Sequence, residues 1–444
     1  MVTIPNLSQG AVLSSLKDAL HTIESERVRE REYMLDFFEG VNIDQYVKKF
    51  FGSESLNQVP IFTQNLTRRI CKVRSMTYKR PPKMTVDKKY LDFIDISDLN
   101  SSRRQLEQLT FLLGTMAMRS RWSEREQKIK YDLIQNFEPL FLPGEKSPVG
   151  VIFAIENHGS SKLKKPWHAV WTEDRPGMPG QHYLVDQNGT KKSVNEGDRN
   201  PYGVIPLTFA HRYKPIRDWW SEGAHDIIRA DLSVSVAATE LSLAIRFGAI
   251  GIKYITSVDD ASRIEIGVDK ILYLPEGANF GVTAPSGSLT DIIDATRFLV
   301  EATLNNNHIR IKFADTRGNA PSAESLKIME YENYDERTAS TEDIWRPFEK
   351  QRFKIDKAII EAKTNARIKE DYRVDFLEPD YPMSVDQEIN YWNWKFDKGL
   401  ATPRDWFDYM NSDSSEEDRK KWEEERQEQV QPQSNRLLQR LQDN

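Results

Sequence analysis

The sequence predicts an α+β protein that is mainly helical. Three observations carry this. Long stretches such as Ala11–Glu39 hold neither Gly nor Pro and space their apolar residues at roughly helical period. The middle of the chain, residues 149–210, changes to short β-branched and aromatic runs. Gly and Pro then fall at the joints between these stretches. A chain of 444 residues is long enough for two or three domains at the usual ~100–200 residues each. The net charge of −6 argues against a globally basic nucleic-acid binder, although a local basic patch or an acidic channel can coexist with it. A single cysteine, Cys71, excludes an internal disulfide framework and suits a reducing cytosol. The first sixteen residues lack the pattern of a signal peptide. No apolar run reaches the ~18 residues of a membrane span, so no membrane association is expected.

The elements follow in order. Ala11–Glu39 is expected as one long helix stopped by Gly40. A second helix, about Phe62 to Tyr78, ends before Pro81-Pro82. With its exit it carries Arg68, Arg69, Lys72, Arg74, Lys79, Arg80 and Lys83 with no acid between them. A third helix is expected over about Ser102 to Met118. The β unit spans 149–210, with Asn188-Gly189 as a hairpin turn. Helix returns at about Glu222 to Phe247, where Ile228, Leu232 and Val236 share one face. Residues 248–287 are strand-like. Leu289 to Leu304 is amphipathic, with Ile292, Thr296, Leu299 and Thr303 as one stripe, Ile293, Val300 and Leu304 beside it, and Asp291, Asp294, Arg297 and Glu301 on other faces.

"NNNHIRIKFADTRGNAP" (305–321) is then expected as loop. Ser322 is a plausible N-cap, with Glu324 in the first turn of a long helix. Pro347 should kink that helix on its way to about Ile368. "DYRVDFLEPDYP" (371–382) suggests a strand and a turn. Helices are expected at Val385–Lys398 and Pro403–Met410, followed by a charged tail with a small amphipathic end at Leu437, Leu438 and Leu441.

Site chemistry is nearly absent. There is no phosphate loop, no nucleophile elbow and no zinc helix motif. His158, His168 and His182 have no spacing that fixes a metal. Asp356, Glu361 and Lys363 resemble the acid-plus-lysine set of metal-dependent nucleases, but they sit where a helix would carry a solvated face. Asp371, Asp375, Glu378 and Asp380 suit surface charge and turns better than a metal cluster. The basic run from Arg68 to Lys83 could meet phosphate, or could simply be a solvated face. No cofactor, metal or catalytic residue is assigned, and the chain is not expected to be an enzyme. What remains is architecture: two amphipathic helices flanking a short β segment, then a loop feeding a long helix. Such a subunit could pack side by side with its own copies, and one repeated heterologous contact closes a ring.

The order of several segments resembles the portal proteins (head-to-tail connectors) of tailed bacteriophages, of the siphophage-like type. "REYMLDFFEGVN" is similar to the family's N-terminal helix with its aromatic-x-Gly step. "NLTRRICKVRSMTYKRPPKM" is similar to the next helix and its Pro-containing exit, and "NPYGVIPLTFAHRY" to the Gly-x-Ile-Pro strand. "HDIIRADLSVSVAATELSLAI" stands where the first stem helix stands, and "DKILYLPEGANF" looks like the strand leaving the clip. "GNAPSAESLKIMEY" resembles the Ser-Gly-x-Ala-Leu-Lys opening of the long wing helix, with Ala323 in place of the Gly and Ser325 in place of the Ala. "SVDQEINYWNWKFDKGLATPRDWFDYM" resembles the crown helices. The likeness runs from about Ala11 to Met410.

This resemblance implies a portal fold and a dodecameric ring with a central channel at one capsid vertex. It implies a wing at 1–221, with the β unit at 149–210, a first stem helix at 222–248, a clip at 249–287 and a second stem helix at 288–304. A tunnel loop at 305–321 would follow, then a long kinked wing helix at 322–368, and a crown and tail at 369–444. The tunnel loop would offer Asn305, Asn306, Asn307, His308, Arg310, Lys312 and Arg317 to DNA. Asp291, Asp294, Arg297 and Glu301 are the implied channel-wall candidates, and Ser322 and Glu324 the helix cap after the loop. The implied function is a conduit for double-stranded DNA in genome packaging and ejection, independent of sequence. Implied partners are further copies in a ring of about twelve, the terminase large subunit that supplies ATP hydrolysis, a head–tail adaptor, the major capsid protein and a scaffolding protein. Its place would be the virion, after assembly in the host cytoplasm. The competing expectations are another ring-forming virion connector, a metal-dependent nuclease using Asp356, Glu361 and Lys363, and an unrelated monomeric helical protein.

Overall fold

Gly114 decides where the first part of the chain changes from helix to sheet. The structure is a computed structural model and describes residues 2–15, 26–51, 61–155, 167–186, 189–216, 218–250, 252–256, 279–283, 289–309, 323–377, 385–411 and 420–423. After a short strand β1 (Val2–Thr3), helices α1 (Glu26–Glu39), α2 (Ile43–Phe51) and α3 (Leu66–Arg74) lead to strand β2 (Lys83–Thr85), a single helical turn α4 (Lys88–Asp92) and α5 (Ile96–Leu113). Residues 9–15 and α1 are both helical; residues 16–25 of the expected Ala11–Glu39 helix lie outside the described residues. Gly114 then takes φ +81°, and a Cβ there would sit 2.0 Å from the Ser221 carbonyl oxygen. Only glycine allows that approach. The third helix therefore ends at Leu113, not at about Met118, and Thr115–Ser123 is strand β3.

The β-structure is correspondingly larger than the expected 149–210 unit. Strand β3 pairs antiparallel with β4 (Lys128–Ile134) and with β10 (Leu207–His211) in a three-stranded sheet. A second sheet is a meander of β5 (Phe137–Phe141), β6 (Gly150–Ile155), β7 (Trp167–Thr172), β8 (His182–Val185) and β9 (Lys191–Ser193), with β1 added in parallel at the β5 edge. The expected turn between β8 and β9 holds Gly189 at φ +81°. Its Asn188 lies outside the described residues. Alternation does not mark β5, all of whose residues are buried, because it is covered on both faces.

Helix α6 (His225–Ile250) runs into strand β11 (Ile252–Thr256), which pairs antiparallel with β12 (Asn279–Thr283); α7 (Leu289–Asn306) follows and packs against α6. Further on, α8 (Ala323–Ser340), a π-helical turn (Thr341–Trp345) and α9 (Arg346–Thr364) are consecutive. The break matches the expected kink. Pro347 has no N–H to give to the preceding turn, and the wider π-helical turn absorbs the missing bond. Helix α9 stops at Asn365, in a left-handed conformation, short of the expected Ile368. Strand β13 (Arg373–Asp375) then pairs with β2.

The chain divides into two units, Met1–Arg317 with Met329–Pro379, and Gly318–Ile328 with Asp380–Asn444. The largest apolar core lies in the first unit and joins Phe37, Ile70, Leu106, Leu112, Ile227 and Ile359. Within the second unit, α10 (Val385–Asp397) ends before Gly399 at φ +65°, and α11 (Pro403–Met410) starts with a capping box between Thr402 and Asp405. Leu437, Leu438 and Leu441 lie outside the described residues.

Candidate functional site

At 1.5 Å per residue, α6 is roughly 39 Å long. Its N-terminal half is held by the core. Ile227, Ile228 and Val234 are buried, and so is a polar row at Asp231, Ser235 and Thr239. These three stand four residues apart and share one face. Asp231 reaches the start of α3, where its Oδ2 accepts from the Thr67 backbone N–H at 2.9 Å and from the Thr67 hydroxyl at 2.7 Å. A carboxylate at that end complements the helix dipole. Burial nevertheless raises the Asp231 pKa, and the Thr67 bonds only partly offset this.

Helix α7 is anchored at one end only. Thr303 and Leu304 are buried, while Ile292, Thr296 and Val300 are half-buried at four-residue spacing. The expected stripe through Leu299 is thus displaced to Val300. Leu299 is 38% exposed, Ile293 43% and Phe298 68%, and on α6 Ile245 is 51% exposed. Asp291, Asp294 and Arg297 are exposed and Glu301 is half-buried. Phe298 is the residue that sequence reasoning passed over. Only its departure from the inward row at 292, 296 and 300 marks it.

The expected loop start at Asn305 is corrected. Helix α7 continues through Asn306 because its end is closed by a Schellman motif. The Ile309 N–H donates to the Leu304 carbonyl at 2.8 Å, and the His308 N–H to the Asn305 carbonyl at 3.0 Å. His308 holds the left-handed position at φ +58°, and Leu304 and Ile309 are both buried across the motif. Asn307 is buried too, its amide donating to the Thr303 carbonyl at 2.9 Å. The Asn triplet therefore builds a helix end instead of a free loop. His308 Nδ1 lies 3.4 Å from Glu332 Oε2. Arg310, Lys312, Arg317 and Ser322 lie outside the described residues, and Glu324 falls in the first turn of α8. Replacing His308 with Gly should raise unfolding stability by roughly 0.5–1 kcal/mol, since glycine takes this conformation without strain. Urea denaturation checks this, and a loss of stability would refute the motif as described.

The expected nuclease trio is not assembled. Asp356 is fully buried and accepts from Tyr90 Oη at 2.6 Å, Ser120 Oγ at 2.5 Å, Tyr131 Oη at 2.9 Å and the Arg352 guanidinium. Glu361 accepts from the Ile368 N–H at 3.0 Å, and Lys363 reaches Glu124 at 2.6 Å. Asp356 instead joins a closed ionic network. Glu349 accepts from Arg103 at 2.8 and 2.5 Å, from Tyr78 Oη at 2.8 Å, from Tyr372 Oη at 2.7 Å and from Arg352 at 2.9 Å. Burial alone would raise the Glu349 pKa, but Arg103 and Arg352 outweigh it and hold the carboxyl well below the usual carboxylate range. The network carries two guanidinium groups and two carboxylates, all with fully buried side chains.

The other sequence candidates are dispersed. On the basic helix, Arg74 is buried against Asn333 at 2.9 Å, and Arg68 lies over the Phe38 ring at 5.8 Å. His168 and His182 are buried in the meander, where His182 stacks on Trp171 and desolvation lowers its pKa to about 4. Among the described residues no group of His, Cys, Asp and Glu is placed to hold a metal ion, and no helix is long and apolar enough to cross a membrane.

No family model matches the sequence. No curated protein matches it either. Solved structures do resemble the chain. One is the neck of a native gene transfer agent particle, with 12% identity and a TM-score of 0.36, covering 76% of this chain and 86% of that chain. Another is the neck of the empty particle, with 12% identity and a TM-score of 0.35, covering 79% and 90%. A third is an HK97-family phage portal protein from Corynebacterium diphtheriae, with 8% identity and a TM-score of 0.29, covering 59% and 80%.

Proposed function

We propose that this chain is the subunit of a viral portal ring that conducts double-stranded DNA. The observation that carries this reading is the helix–β-ribbon–helix unit of α6, β11/β12 and α7. Its two helices pack on each other yet leave Ile245, Ile293, Phe298 and Leu299 exposed. An apolar row of this kind on a long helix pair suits a neighbour of the same shape, and one heterologous contact repeated around an axis closes a ring. The segment order that resembles portal proteins supplies the family. On this reading α6 and α7 are the stem, 249–287 the clip, 310–321 the remaining tunnel loop, α8 to α9 the wing helix, and 369–444 the crown and tail.

The charges fit transport better than tight binding. Helix α7 carries Asp291, Asp294 and Glu301 against Arg297. Each phosphate neutralised by a cation adds salt-dependent affinity, so a mainly acidic wall lets a duplex slide. Arg310, Lys312 and Arg317 would supply a few guiding cations. The clip would receive the ATP-hydrolysing terminase during filling and an adaptor afterwards, at the capsid vertex of the virion. Native mass spectrometry with negative-stain images tests the proposal. A ring of about twelve subunits with a central hole upholds it. A compact dimer that cuts DNA with Mg²⁺ overturns it. Replacing Arg310, Lys312 and Arg317 together with Ala should impair DNA packaging while rings still form. Failure of ring formation would instead make that segment structural.

A further inference from the structure

A small cavity of about 50 Å³ lies where the end of α3, the C-terminal part of α5, the end of β10 and α8 meet. Arg74, Arg212 and Arg337 all line it, as do Glu107 and Glu336. Three guanidinium groups thus face two carboxylates. Glu107 is already committed, its two oxygens accepting from the Thr77 and Tyr78 backbone N–H groups at 2.8 and 2.9 Å. Glu336 lies at the surface side, 39% exposed, 3.4 Å from Arg74.

Arg74 and Arg212 stand over the same ring, Phe111, at 5.7 and 4.2 Å from its centroid. Two like charges so placed repel. For Arg74, desolvation lowers the pKa and Arg212 adds to this, against Glu336 and Tyr213, which favour the charged form. Arg74 spends its terminal nitrogens on Asn333 and Glu336, which leaves Nε. Among the described residues Arg74 Nε, Arg212 Nε and Thr110 Oγ1 are buried with no protein partner. Arg74 has a side chain 7% exposed and Thr110 is 1% exposed. A buried donor left unmatched is destabilising, since it has given up its water without a replacement partner. A water could accept from these groups, since ~10–15 Å³ of such space suffices for one. Water would not relieve the repulsion between two guanidinium groups sharing one ring. An anion does both.

We propose that this cavity is a binding site for a single phosphate group, held by Arg74, Arg212 and the Thr110 hydroxyl over the Phe111 ring. The site is independent of the portal reading. The anion could be free phosphate or a phosphate of the DNA backbone, and the two share one recognition chemistry.

The test is the melting temperature and calorimetric titration of the full chain in a phosphate-free buffer. Inorganic phosphate is added at constant ionic strength, with acetate as the matched control. Phosphate should raise the melting temperature saturably by a few degrees above acetate. Arg212→Gln should weaken phosphate binding by about tenfold or more, and Arg212→Lys, which keeps the charge but not the Nε–H, should weaken it too. Arg212 is partly exposed, so these variants spare the buried Arg74. A duplex oligonucleotide that displaces phosphate from the wild type but not from Arg212→Gln would assign the anion to DNA. Absence of displacement would assign it to free phosphate. A phosphate response no larger than that of acetate, or equal in wild type and Arg212→Gln, would overturn the site.

Discussion

Arg352→Met should destabilise the protein by about 3–5 kcal/mol, because it leaves buried carboxylates facing a methyl group. Arg352 has no solvent exposure and donates to Glu349, Asp356, Tyr90 and Tyr372 at once. Without it Glu349 keeps Arg103, but Asp356 keeps only hydroxyl donors. A buried charge with neutral donors alone is the costly case. Urea denaturation of the variant should show a lower midpoint. Adding Asp356→Asn removes the stranded charge, so the double variant should recover part of the loss, with a coupling of roughly 0.5–3 kcal/mol. A single variant within 1 kcal/mol of wild type would mean that the network is not closed as described.

The second large effect concerns assembly and leaves the subunit intact. Phe298→Asp should abolish rings while changing subunit stability by less than about 0.5 kcal/mol, since the side chain is 68% exposed. Each neighbour contact would lose about 1.5–3 kcal/mol of apolar burial and gain a desolvated charge. In the proposed ring the loss would recur at every interface, so a modest local term becomes decisive. Native mass spectrometry read beside circular dichroism separates the outcomes. Folded subunits without rings are expected. Rings of normal size would remove this face from the interface.

Much of this was legible in the residues. Gly and Pro punctuation placed α10, α11 and the hairpin at Gly189, and Pro347 announced the break before α9. The strand-like character of 248–287 was legible from its short runs between two amphipathic helices; that 252–256 pairs with 279–283 was not. Where reading failed, tertiary contact was the reason. The helix expected to run to Met118 stops at Gly114 because the chain returns at Ser221, some hundred residues later, too close for any side chain. Asn305–Asn307 looked like loop because three asparagines suggest turns. Instead Asn307 donates to the Thr303 and Leu304 carbonyls and the Asn305 carbonyl accepts from the His308 N–H, which together lock a helix end. Asp356 was expected on a solvated helix face and is instead fully buried, because sequence spacing cannot reveal that Tyr90 and Tyr131 reach its oxygens. Lys363 and Glu361 are where a solvated helix face would put them, each with its own partner.

The ionic network also sets an order of events during synthesis. Arg103 and its partner Glu349 are 246 residues apart, and Tyr78 and Glu349 are 271 apart. At translation rates of about 5–20 residues per second, roughly 12–50 s separate the emergence of Arg103 from that of Glu349. During that interval the arginine cannot be buried at acceptable cost. The early helices and sheets must wait, partly open, for a segment that leaves the ribosome much later. Long-range closure of this kind slows folding. A chain broken off before Glu349 would carry an unmatched cation at its centre and should be cut faster by proteases than the full chain.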